Sequence, residues 1–118
     1  MDFTALVEAG VDVESAIERC LGNEELYAKL LTKFLDEPNY RKLLDAVSEN
    51  NKADALAASH TLKGVCGNLS QTVLYELFSK QVSLIRGGEW EKAVAMMPEI
   101  TKSYEEMTCA VSEWLKTI

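Results

Sequence analysis

The chain has 118 residues, 47% of them hydrophobic and 26% charged, a length for one domain with enough apolar material for a real core. Its net charge of −7 argues against nucleic acid or an anionic membrane surface as partner, because both draw lysine and arginine to phosphates. No apolar run reaches the roughly 18 residues that a membrane span needs, and Met1-Asp2-Phe3-Thr4 does not open like a secretory signal, so a cytoplasmic location is expected.

The cysteines, Cys20, Cys66 and Cys109, are odd in number and lie far apart with no CxxC spacing. That pattern fits reduced thiols rather than a disulfide framework. A single histidine, His60, leaves a zinc site without the closely spaced ligand pairs that such sites use, so neither a metal nor a cofactor is expected.

Along the chain, apolar residues recur at three and four, the helical period, and no β-branched run alternates with polar residues. A short first helix is predicted over about Val13 to Leu21, with Gly22 as its stop and Asn23 as cap of the next. That second helix carries Leu26, Tyr27, Leu30, Leu31, Phe34 and Leu35 and gives way before Pro38, which opens a segment striped with Tyr40, Leu43, Leu44 and Val47. Asn50-Asn51 breaks the chain again. Helices are then predicted over about Lys52 to Leu69 and Gln71 to Arg86, the second closed by Gly87-Gly88. One last helix is predicted from near Glu89, bent at Pro98, with Trp90, Ala93, Met97, Ile100, Tyr104, Met107, Val111, Trp114 and Ile118 as its seam. Short connections between long amphipathic helices imply antiparallel neighbours. The expected fold is all-α: an up-down four-helix bundle with one or two additional short helices at the N-terminal side.

The informative segment runs from Ala58 to Ser70. Wound at about 100° per residue from His60, it places Ala58, Leu62, Val65 and Leu69 together on the face opposite the histidine. His60, Lys63, Gly64 and Gly67 share the other face. Glycine inside a helix costs roughly 0.5–1 kcal/mol relative to alanine, so two on an exposed face need a reason, and close approach by a second molecule supplies one. An imidazole is nucleophilic near neutral pH, and an ammonium one turn along can stabilise an anionic group bound to it.

The series His60-Thr61-Leu62-Lys63-Gly64, with Gly67 and Leu69 following, resembles the signature of histidine phosphotransfer domains. That family usually has glycine where this chain has Ser70. The likeness extends to Val11 through Ala16, Gly22 through Tyr27, the Gly87-Gly88-Glu89-Trp90 turn and the late Pro98. The resemblance implies a four-helix core that accepts a phosphoryl group on His60 from a receiver-domain aspartate, or from a kinase, and passes it to another receiver domain, the receivers belonging to a response regulator or a hybrid sensor kinase. It implies a phosphocarrier rather than an enzyme. No Walker-type glycine loop for ATP is present. Lys63 would stabilise the phosphoryl group, and Gly64 and Gly67 would admit the partner.

Several positions keep two readings. Gln81 interrupts an apolar series on the following helix and is a candidate for orienting the imidazole. Asn68 is either a helix cap or support for the site. Leu56, with Leu31 or Phe34, is either bundle filler or an apolar docking patch. A monomer is expected. Two other functions compete: a docking module that never accepts phosphate, and the dimerisation helices of a histidine kinase. The kinase helices usually carry an acidic residue directly after the histidine and a proline five further on, where this chain has Thr61 and Val65.

Overall fold

A computed structural model describes all residues from Met1 to Ile118. Eight α-helices follow one another without a strand: α1 (Thr4–Glu8), α2 (Val13–Arg19), α3 (Glu24–Phe34), α4 (Asn39–Ser48), α5 (Lys52–Asn68), α6 (Thr72–Arg86), α7 (Trp90–Ala95) and α8 (Met97–Leu115). No helix is long and apolar enough to cross a membrane.

Local chemistry sets the helix ends. Asp12, Asn23 and Asn51 each place a side-chain oxygen on a free N–H in the first turn of α2, α3 and α5. At their C-termini, α1, α2, α4, α5 and α6 finish on a residue of positive φ: Gly10, Leu21, Asn50, Ser70 and Gly88. After each of these, the next N–H reaches back five residues to a carbonyl, as Gln71 does to Cys66 at 2.9 Å. Leu21, rather than Gly22 alone, therefore takes the left-handed position that ends α2.

The N-terminal side holds two short helices, α1 as well as the α2 read from the sequence, and Asp2 helps start α1 by accepting from both the N–H and the hydroxyl of Thr4. One expectation is corrected. The last helix is broken at Met96 rather than bent, giving α7 and α8. Pro98 has no N–H to donate and its ring excludes the carbonyl of Val94, so it fits only in the first turn of a new helix.

One core cluster joins the elements. Helix α5 packs between α4 and α6, while α8 packs on α1, α3 and α6. The seam of α8 from Met97 through Ile100, Tyr104, Met107, Val111 and Trp114 is buried, and Ile118 falls outside it, exposed. Tyr104 stacks on Tyr40 with ring centroids 3.9 Å apart and tilts against Phe34 at 5.1 Å, tying α8 to α3 and α4. Tyr27 in α3 donates its hydroxyl to the carbonyl of Leu69 at 3.0 Å, holding α3 against the end of α5.

Ser70 sits at φ 56°, a conformation that strains a residue with a side chain. Its hydroxyl lies 3.4 Å from Arg19 Nη1, too long to offset that strain. Ser70→Gly should raise the unfolding free energy by about 0.5–1 kcal/mol in urea titration, whereas Ser70→Val should lower it.

Candidate functional site

His60 projects from the middle of α5 into solvent. It lines an open groove of about 500 Å³ together with Lys63, Gly64, Gly67 and Asn68 of α5, Tyr75 of α6 and Arg19 of α2. The roll of α5 that turns His60 outward follows from its neighbour. Ser59 is fully buried and donates its hydroxyl to Gln81 Oε1 at 2.8 Å, and the next residue lies about 100° further round. The buried face of α5 accordingly includes Ser59 and Cys66 as well as Ala55, Ala58 and Leu62, an arc displaced toward α6 from the one expected. Burial, with the charge of Glu37 adding, pushes the Cys66 thiol up to about 12, which leaves it unreactive as a nucleophile at neutral pH.

Gln81 does not orient the imidazole. It is fully buried between α5, α7 and α8. It accepts from Ser59, and its Nε2 donates to the carbonyl of Ala93 at 3.1 Å and to Met97 Sδ at 3.2 Å. The polar break in the α6 stripe is thus a satisfied structural bridge.

The two glycines differ. A Cβ added to Gly64 would meet nothing within 4 Å, so that stretch of helix is bare toward solvent. A Cβ added to Gly67 would lie 3.1 Å from Tyr75 Cδ2. Gly67 therefore makes room for this chain's own aromatic ring, not for docking as expected. Lys63 is half-buried, with its Nζ 5.9 Å from the centroid of the same ring, a cation–π distance.

Arg19, at the last turn of α2, donates from Nη1 to the carbonyl of Gly67. This contact and the left-handed Ser70 satisfy the end of α5, so Asn68 is not the cap; it is exposed at the groove wall. Leu31, 0% exposed, faces the core and drops out of any docking patch, and Phe34, 2% exposed, contributes only a sliver of floor to a neighbouring groove. Leu56 is half-buried one turn before His60. An apolar groove does adjoin the His60 groove, sharing Arg19 and Asn68 with it, but Leu26, Leu30 and Val65 provide its accessible apolar walls. Leu26 and Leu30 belong to the α3 stripe read from the sequence. Tyr75 and Arg19 carry no local signal of a site, because only the tertiary fold brings them to α5.

Compared with protein-family models, with curated proteins and with solved structures, the chain matches none.

Replacing Gln81 by leucine strands the Ser59 hydroxyl and leaves the Ala93 carbonyl with only the Met96 N–H, at 3.3 Å. The expected loss is about 1–3 kcal/mol of stability in chemical denaturation, with unchanged chemical reactivity of His60 in the folded protein. A selective loss of His60 reactivity without loss of stability would return Gln81 to the site.

Proposed function

We propose that this chain is a histidine phosphotransfer domain built as a four-helix bundle of α3–α4, α5, α6 and α7–α8, with α1 and α2 as additional N-terminal helices. It carries a phosphoryl group on His60 between receiver domains of two-component signalling, working as a cytoplasmic monomer without an ATP site. The observation that carries the proposal is that the only imidazole stands exposed on α5, in one groove with Lys63, beside the bare helix surface of Gly64.

The chemistry is a displacement at phosphorus. A lone pair of one imidazole nitrogen attacks the phosphorus of an aspartyl phosphate, and the bond from phosphorus to the carboxylate oxygen breaks. The carboxylate leaves with the electron pair, and the other ring nitrogen keeps its proton. The reverse sequence delivers the group to the next aspartate. Lys63 places positive charge near the transferring oxygens, and the missing side chain at Gly64 lets the partner's backbone come close to α5. The apolar walls of Leu26, Leu30 and Val65 extend the contact, as an apolar patch rimmed by polar groups suits a transient interface.

Incubation with a panel of phosphorylated receivers should label the chain with acid-labile phosphate, and His60→Gln should abolish the label. A label that persists in that variant, or no label from any receiver or from phosphoramidate, sinks the proposal. Lys63→Ala should slow transfer by about 10-fold or more, the scale of one lost charge-assisted contact, while the chain stays folded with a thermal midpoint lowered by no more than a few degrees. Stable receiver complexes without transfer would favour the docking-module reading instead.

A further inference from the structure

Lys63 takes part in none of the chain's ion pairs. Its ammonium is placed instead over the Tyr75 ring, 5.9 Å from the centroid. The edge of that ring packs at Gly67, on the side of Lys63 away from His60 along α5. Lys63 therefore stands between two claimants for its charge: an aromatic face one turn toward the C-terminal end of α5, and whatever His60 holds one turn toward the N-terminal end. Tyr75 is 41% exposed and comes from the first turn of α6, so the ring's place depends on the notch that Gly67 leaves.

We propose that Tyr75 is a positioning residue: its ring is the resting seat of the Lys63 ammonium, which leaves it for the phosphoryl group once His60 is modified. This inference rests on the phosphotransfer reading. An ammonium seated over the ring is drawn toward Gly67 and away from His60, so the aromatic contact competes with the phosphoryl group for it. A cation–π contact at an exposed site corresponds to about a two- to fivefold equilibrium factor. Tyr75 thereby moderates, by that factor, how firmly the Lys63 ammonium holds the phosphoryl group on His60. The other charged side chains lining the groove are Arg19, whose Nη1 is bound to the Gly67 carbonyl, and Asp12, which caps α2.

The test loads the full chain with phosphoramidate as phosphodonor and follows the phosphohistidine by 31P NMR through a pH titration. An ammonium near the phosphoryl group favours its dianion and lowers the titration midpoint. Tyr75→Leu should increase the phosphoryl ionisation constant by about two- to fivefold over wild type, and Tyr75→Phe should leave it unchanged because the aromatic face is kept. Lys63→Ala should raise the midpoint, and adding Tyr75→Leu to it should have no further effect. In the unmodified protein, the Lys63 ε-methylene protons should show an upfield ring-current shift that disappears on phosphorylation. If Lys63→Ala moves the midpoint but Tyr75→Leu does not lower it, the seat is refuted and the carrier reading stands. A ring-current shift that survives phosphorylation also refutes the seat. Should His60 take no phosphoryl group at all, the carrier reading falls, and this inference with it.

Discussion

The hydrogen bond from the Ser59 hydroxyl to Gln81, closed off from water between α5 and α6, is the contact on which the geometry of this protein turns. A hydrophobic face fixes the roll of a helix through packing, which small residues such as Ala55 and Ala58 specify only loosely. A buried hydroxyl facing a buried amide specifies it more tightly, since turning α5 by one residue would strand both groups and bring an imidazole into the core. Gln81 is itself held by the Ala93 carbonyl and Met97, so the lock spans α5, α6, α7 and α8. With Ser59 bound inward and Ala55, Ala58 and Leu62 buried beside it, the next residue, His60, is turned to solvent.

The same logic explains how a bare helix face forms next to a packed one. Small residues, Ala55, Ala58 and Ser59, let α5 approach its neighbours, while on the far side Gly64 leaves backbone open to solvent. The end of α5 is then gathered by parts of the chain distant in sequence. Arg19 reaches the Gly67 carbonyl, Tyr27 reaches Leu69, and Asp12 N–H reaches Ser70. The N-terminal helices thus form one wall of the His60 groove as well as covering the core.

Much of this was legible in the sequence, and the misses have physical causes. Helix-period spacing located α2 through α6 and the α8 seam, Asn23 marked the start of α3 as its cap, and Asn50-Asn51 marked the break before α5. The outward face of His60 followed from angular position alone. The split at Met96 was harder to read, since proline is consistent with either a bend or a new first turn. Leu31 and Phe34 looked available because a single stripe does not reveal how wide its buried arc is; α8 packing on α3 made it wide enough to take both. Gln81 was visible as a polar residue needing a partner, yet its partner, Ser59, sits next to the residue expected. Gly67 and Gly64 share one angular sector, and only the arrival of Tyr75 from α6 separates their roles.

The central claim is that the packing of α5, with Ser59 and its apolar face turned inward, leaves the sole imidazole out in solvent. Because the chain has one histidine, carbethoxylation by diethyl pyrocarbonate, followed by absorbance at neutral pH, reports on that ring alone. The account predicts a rate for the folded protein within a few fold of that of N-acetylhistidine. A rate suppressed by orders of magnitude and recovered only on unfolding would contradict it.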